Sequence, residues 1–427
     1  MNFRLIFSLA TVLSGNYVAA QTQVLSVTTC QQLALEQNKK IKAARYQIDA
    51  AGAALQSAVT NAYPAIDGSV MGAYLGKPVG GAFNGMIPEY VVSGSISATQ
   101  AIYAGGKIRN GKKIAEKFIS IQEEQKVLTT AEVILNVHKA YWQVVQVKEK
   151  MVLADKYQTL LQGLQRELKN AYDAGIIYKN DLLRVEVNLN EAALQVSQAA
   201  DGLVMAKLQL AQLTGMPGQV NFAVADSVTG DFNELTGDDL LAAADNRPEI
   251  RLLKNVLDAE ELQKKLLKGD LLPTIGVSAS GVAAAGKSVN ISNGKDFMST
   301  YYGLASISMP IFDWGKRAHK IKEQSFKIAA RQQLLEDTKE QINIEVQHTY
   351  LALNQSVKKI HRSHLSLTQA EENLRLANDR FKAGTITGKD VLEAQAIWQQ
   401  AYSSIIDSKV EYKINEAAYQ KAIGAAR

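Results

Sequence analysis

Cysteine is nearly absent from this chain of 427 residues; the single one is Cys30. No internal disulfide can form, so packing and hydrogen bonds have to hold the fold. Val27-Thr28-Thr29 precedes Cys30, not the Leu-small-small run expected ahead of a lipidated cysteine. A small, half-buried residue on the first helix is the favoured reading of that position. Proline is scarce at seven residues, and none interrupts 105–174 or 315–383. Each of those stretches can run as one helix of about 100 Å at ~1.5 Å per residue. Aromatics are 7% and the net charge of +5 is dispersed along the sequence. No Lys/Arg cluster is interleaved with aromatics, which argues against nucleic-acid binding. Long hydrophobic runs are missing too. Beyond the first twenty residues no window reaches the ~18 apolar residues of a membrane-spanning helix.

Residues 1–20 do read as a leader. Arg4 gives the positive start, Leu5 to Leu13 the apolar core, and Val18-Ala19-Ala20 the small residues before a cleavage point. The mature chain is therefore expected to be exported.

What is present is duplication. A shift of 209 residues lays Ile41 on Ile250, Pro64 on Pro273 and Gly106-Lys107 on Gly315-Lys316. The same shift lays Tyr141 on Tyr350, Ala174-Gly175 on Ala383-Gly384, Asp181 on Asp390 and Gly215 on Gly424. The period is too long for a solenoid unit. It predicts two structural repeats, 21–215 and 241–427, joined by a turn-rich linker at 216–240.

Each repeat reads as helix, two strands, then a long helical hairpin. The first helices are expected over Thr28–Ala62 and Gly237–Leu271, the latter with Asp238 and Asp239 at its start, and Pro64 and Pro273 stop them. Tyr90–Thr99 alternates Val92, Gly94, Ile96 and Ala98 against Ser93, Ser95, Ser97 and Thr99. Thr274–Ser280 does the same, while Ala65–Tyr74 and Tyr301–Met309 are weaker versions. Gly-rich loops are expected between the strands, at Leu75–Pro88 and Val282–Thr300. Four strands, apolar on one face and small-polar on the other, suit an outer-membrane barrel with a polar lumen, or a piece of soluble sandwich. Because about eight strands are needed to close even a small barrel, a membrane barrel would have to be shared between subunits.

The return helices carry heptads. Leu182, Leu189, Val196, Leu203 and Leu210 form one series; Val185, Ala192, Ala199, Ala206 and Leu213 form the other. Their second copies are Val391, Trp398, Ile405, Tyr412 and Tyr419, against Ala394, Ala401, Ser408, Asn415 and Ala422. The hairpin tips lie near 174–181 and 383–390.

Sites of chemistry are harder to find. Gly281-Val-Ala-Ala-Ala-Gly286-Lys287-Ser288 matches the phosphate-loop pattern, but Val289–Gly294 reads as loop where a helix would have to start. His361 and His364 share a helical face without a third or fourth ligand. No nucleophile–base ordering stands out, so no enzyme and no cofactor are expected.

This order of elements, with an Ala-Gly…Asp tip in each half, resembles the TolC-like outer membrane efflux proteins. Its specific marks are the junction Met309-Pro-Ile-Phe-Asp-Trp-Gly-Lys316 and the tip Ala383-Gly-Thr-Ile-Thr-Gly-Lys-Asp-Val-Leu-Glu393. The first junction departs by having Ala101 where the family usually has proline. The resemblance implies a mainly α chain with a small β part: a long antiparallel coiled-coil α-barrel and, in a homotrimer, a twelve-stranded outer-membrane β-barrel. It implies a duct carrying substrates from an inner-membrane pump and periplasmic adaptor, set in outer-membrane lipid and reaching into the periplasm. The alternative is a periplasmic or secreted coiled-coil structural protein without a channel.

By the same resemblance, Asp390 and Glu393 form the ring of acids at the periplasmic aperture. The residues themselves also allow plain helix capping at Asp390. The family's Tyr and Arg latch positions are Phe381 and Ile386 here, neither able to make those bonds, with Lys389 as another partner for Asp390. Asp181 is the twin of Asp390 and is read as packing and docking. Gly175, Ile176, Gly384 and Thr385 form apolar tips suited to an adaptor hairpin.

Overall fold

The computed structural model describes residues 23–74, 89–227, 230, 232–235, 247–290 and 292–425. The leader at 1–20, the loop Leu75–Pro88 and the helix start at Gly237 lie outside the described residues.

The duplication seen in the sequence is carried into the elements without a slip. Helix α2 (Lys39–Thr60) and helix α5 (Pro248–Gly269) each have 22 residues. The long helices α3 (Lys107–Asp173) and α6 (Lys316–Lys382) each have 67. The return helices α4 (Lys179–Leu213) and α7 (Gly388–Ala422) each have 35. Left-handed glycines mark the same joints in both copies: Gly106 and Gly315, Gly175 and Gly384, Gly215 and Gly424. At the remaining joint Gly105 (φ 61°) is matched by Trp314 (φ 52°).

The chain divides into two compact units, and each takes pieces of both repeats. One gathers residues up to Asn38, Asn136–Asn233 and Ser356–Ile414. The other gathers Lys39–Leu135, Glu234–Gln355 and Asn415–Arg427.

The second unit holds a four-stranded antiparallel sheet in the order β2-β3-β5-β6: β2 (Ala65–Tyr74), β3 (Tyr90–Ala104), β5 (Thr274–Asn290) and β6 (Lys295–Ser308). Its register puts Ile66 beside Ala98, Gly68 beside Ile96 and Gly72 beside Val92. The row continues with Ala98 beside Ala279, Val92 beside Ala285, Val277 beside Ala305 and Ile275 beside Ile307. One face is therefore apolar across all four strands. On the other face Ser97 pairs with Ser280 and Thr99 with Ser278, and the Ser69 and Ser95 hydroxyls meet at 2.8 Å. Val70 is 80% exposed and Ile307 74%, so in the single chain the apolar face is uncovered.

Two expectations need correction here. Val282–Thr300 is not a loop: β5 runs through it to Asn290 and β6 starts at Lys295. The Ala/Gly composition reads as loop, but small residues suit close strand approach. A Cβ on Gly286 would lie 2.4 Å from the Tyr90 carbonyl oxygen. The phosphate-loop look-alike is thus strand, with no helix after it. The expected helix Thr28–Ala62 is in fact α1 (Val27–Gln37) and α2, divided at Asn38.

Asn38 turns extended and donates through Nδ2 to the Leu213 carbonyl at 2.8 Å, closing the end of α4. Its counterpart 209 residues on is Arg247, which donates from Nη1 to the Ala422 carbonyl at 2.9 Å, closing the end of α7. Arg247 is 3% exposed and is held by Glu249 and by Glu345 at 2.7 Å. Burial opposes its charge, but the two carboxylates more than offset this and raise the guanidinium pKa. Glu249 is held below the usual carboxylate range: its own burial pushes it up, and the Arg247 hydrogen bond and charge outweigh that.

In the first unit a short parallel pair that the sequence did not announce, β1 (Gln23–Leu25) with β4 (Phe222–Val224), sits beside buried Tyr141. The Tyr141 hydroxyl donates to the Leu25 carbonyl at 3.2 Å and to the Asp226 carboxylate. Cys30 is fully buried on α1, its thiol pushed up to about 11 by burial and then by the charge of Asp226.

The heptads are seams, as expected, but the two copies use them differently. In α4 the offset series lies deeper, with Val185, Ala192 and Ala206 buried, while of the other series Leu182, Leu189, Val196 and Leu203 are half-buried and Leu210 alone is buried. In α7 both series are buried, Val391, Trp398, Ile405 and Tyr412 together with Ala394, Ser408 and Ala422.

Candidate functional site

Both hairpin tips belong to the first unit. At the first, α3 ends at Asp173 and Gly175 takes φ 72°. The Gly175 amide donates to the Tyr172 carbonyl at 2.9 Å and the Ile176 amide to Ala171 at 2.8 Å. At the second, Gly384 also has φ 72°, and its amide reaches the Phe381 carbonyl at 2.9 Å while the Thr385 amide reaches Arg380 at 3.0 Å. These paired bonds satisfy the last carbonyls of each outgoing helix, and the left-handed residue between them explains the glycines.

The return helices start differently. Tyr178 precedes α4 and makes no side-chain capping bond. Thr387 precedes α7, and both its amide (2.8 Å) and its hydroxyl (2.7 Å) donate to one Asp390 carboxylate oxygen. This is the acid half of a capping box. The hydroxyl bond and then the amide bond hold the Asp390 carboxyl below its usual range, with a further contribution from Lys389. Gly388 is also placed by contact: a Cβ there would lie 2.8 Å from Leu168 Cδ2. The start of α7 thus lies directly on α3.

Of the residues singled out in the sequence, Asp390, Glu393 and Lys389 are exposed on the first turns of α7. Phe381 and Ile386 are half-buried. They pack on the cluster formed by Leu161, Leu164 and Leu168 of α3, Val185 of α4 and Val391 of α7. Phe381 and Ile386 thus form the apolar floor of the tip. Asp181 is half-buried, and Gly175, Gly384 and Thr385 are exposed. Ile176 is 76% and Tyr178 83% exposed. The first tip is therefore the more apolar on its surface; the second offers Thr385 and Thr387 at equivalent places.

Sequence reasoning missed Thr387, although Thr387-Gly-Lys-Asp390 has capping-box spacing. It also missed Asp407 on α7, which takes Gln146 at 2.6 Å and Lys150 at 2.7 Å from α3. The missed signal was an acid one residue from the seam position Ser408.

A family model described as outer membrane efflux protein matches residues 31–216 and again 240–425. The chain belongs to this family. Among relatives, the alkaline protease secretion protein AprF of Pseudomonas aeruginosa is 22% identical over 316 residues, 71% of this chain. The match spans 63% of AprF, less than two thirds of its length. The outer membrane efflux protein BepC of Brucella suis is 21% identical over 310 residues, covering 72% of this chain and 67% of BepC. Among solved structures, the Campylobacter jejuni CmeC outer membrane channel superposes with a TM-score of 0.80 at 18% identity, over 100% of this chain and 94% of that one. The fold is that of these family channels: long helical hairpins, a small antiparallel sheet, and two repeats.

Proposed function

We propose that the chain is the outer-membrane exit duct of a tripartite efflux or type I secretion system. Three copies would supply twelve strands, enough to close a barrel with a polar lumen. The observation that carries this reading is the sheet: one apolar face continuous over four strands and exposed, the opposite face rich in serine and threonine on β3 and β5, with Leu304 and Tyr302 beside them on β6. Lipid outside and water inside account for both faces at once. A coiled-coil rod without a channel leaves the apolar face without a solvent. The expected outcome is fractionation with outer membranes as a heat-modifiable oligomer that conducts in planar bilayers; a soluble periplasmic monomer would overturn the reading.

The helical hairpins would reach into the periplasm, with the tips meeting the adaptor and, through it, the pump. Asp390 and Glu393 supply the acids of the aperture; three copies bring six carboxylates together and attract cations. The bonds from Thr387 occupy one oxygen of Asp390, so it caps α7 and contributes charge at the same time. Ile176 and Tyr178 give the adaptor an apolar contact, with Gly175, Gly384 and Thr385 beside it. Phe381 and Ile386 favour closure by apolar packing instead of a polar latch. Replacing Asp390 and Glu393 together by alanine is expected to raise single-channel conductance and weaken block by multivalent cations. Unchanged conductance and block would remove the ring assignment.

A further inference from the structure

The charge that looks dispersed along the sequence is gathered by the fold. Register pairs Ala104 of β3 with Thr274 of β5, and Thr274 with Ser308 of β6, so these three strand ends form one row. Immediately beyond the row lie the start of α3, the end of α5 and the start of α6. The Lys107–Asp270 ion pair at 3.1 Å holds α3 beside α5, and the Gln324 amide donating to the Glu260 carbonyl at 3.1 Å holds α6 beside it.

Segment 104–113 carries Lys107, Arg109, Lys112 and Lys113 and no acid. Segment 264–272 carries Lys264, Lys265 and Lys268 against Asp270. Segment 309–322 carries Lys316, Arg317, Lys320 and Lys322 against Asp313. That is eleven cations and two acids, a local +9, where the whole chain has only +5. The remaining chain is net negative, so the collar is not a sample of the average surface. It is also thin, because Lys107 to Lys113 spans about 9 Å of helix rise. One turn further on, Lys117 is already paired with Asp258 at 2.7 Å. Among the described residues Arg109, Lys113, Lys265, Lys268 and Lys320 are exposed and make no ion pair.

Between the sheet and the cations lies an apolar rim. Ile311 is 92%, Phe312 72% and Trp314 85% exposed, the two rings in a tilted contact at 5.1 Å between centroids. Trp314 holds φ 52°, where its counterpart is glycine. Aromatic rings followed by lysine and arginine match the polarity gradient of a lipid–water boundary.

We propose that this collar binds the headgroups of anionic glycerophospholipids in the leaflet facing the helices, and so fixes the depth of the sheet in the membrane. The proposal rests on the reading of the sheet as membrane-spanning. Its test uses the full chain reconstituted in nanodiscs of equimolar phosphatidylcholine and phosphatidylglycerol, with the lipids that remain bound on release counted by native mass spectrometry. Phosphatidylglycerol should be retained in several-fold excess. Replacing Lys113, Lys265, Lys268 and Lys320 together by glutamine should abolish the excess, and replacing the same four by arginine should keep it. Equal retention of both lipids by the wild type, or an undiminished excess in the glutamine variant, would overturn the proposal. Failure of the chain to insert and conduct at all would instead strike the channel reading. A second readout is available because Trp142 and Trp398 are buried, at 7% and 9% exposure. Trp314 should dominate quenching by brominated phosphatidylglycerol, and quenching that persists in Trp314→Phe would count against the rim lying at the headgroups.

Discussion

The ends of α4 and α7 are the same joint made with different chemistry. In one, a neutral Asn38 closes Leu213; in the other, a buried Arg247 with two carboxylates closes Ala422. Both joints have a left-handed glycine, Gly215 and Gly424, and both bond it into the end of the helix. The difference shows that duplication preserved a bond direction, a side-chain donor to the last carbonyl, while the donor itself was free to change. The packing around the glycines diverged as well. A Cβ on Gly215 would lie 2.5 Å from Gln37 Cβ, whereas one on Gly424 would meet only Arg247 Cγ at 3.9 Å.

That asymmetry can be broken in graded steps. Gly215→Ala should cost the most, roughly 3 kcal/mol, combining the ~1–2 kcal/mol left-handed penalty with overpacking against Gln37. Gly424→Ala should cost roughly 1–2 kcal/mol from the backbone alone. Chemical unfolding of the solubilised protein compares them, and equal losses would mean the contact with Gln37 relaxes freely. Arg247→Ala follows at roughly 2–3 kcal/mol, below the ~3–5 of a fully buried pair because Glu345 can rehydrate at 39% exposure. Asn38→Ala should cost about 1–2 kcal/mol, since it leaves the Leu213 carbonyl without its side-chain donor.

The two joints should also separate with pH. The Glu249 carboxyl is lowered in the fold, so its contribution is complete above an unfolded value near ~4.3 and is lost as pH falls through the lower folded value. The cost of Arg247→Ala should therefore shrink in acid, while that of Asn38→Ala stays flat; parallel pH profiles would contradict the ionic description.

The smallest effect is expected at the tips. Thr387→Val removes the hydroxyl bond to Asp390 and should loosen the first turn of α7 by about 0.5–1 kcal/mol, read as faster amide hydrogen exchange there. Tyr178→Val at the other tip makes no such difference, since Tyr178 caps nothing.

Much of this architecture is legible in the order of the amino acids. The constant shift of 209 residues predicts the matched helices, and alternation predicts the two faces of the sheet. The glycines at 175 and 384 sit where the hairpins turn. What escapes a reading of the sequence does so for physical causes. Asn38 and Arg247 occupy the same register and make the same bond, but they are different residue types, one neutral and one charged, so no residue match announces them. The stretch 282–290 has only Val282 and Val289 to signal strand among small residues, and at Gly286 the Tyr90 backbone comes too close for any side chain. At the tip, Asp390 is legible as an acid on an early turn. That one of its oxygens takes both Thr387 donors is visible in the sequence only as spacing. Phe381 and Ile386 stand out for what they cannot bond, whereas their packing on Leu168 and Val391 emerges only in the fold.

The two hairpins are matched in length, 67 residues out and 35 back in both. A helix is a screw as well as a rod. Removing one residue from α6 shortens it by only ~1.5 Å but turns every side chain beyond the cut by about 100°. The two hairpins are geared to each other through their seams, so the chain can change in length only in steps that return a seam to its own face. Seven residues do so to within ~20°, and a single residue does not.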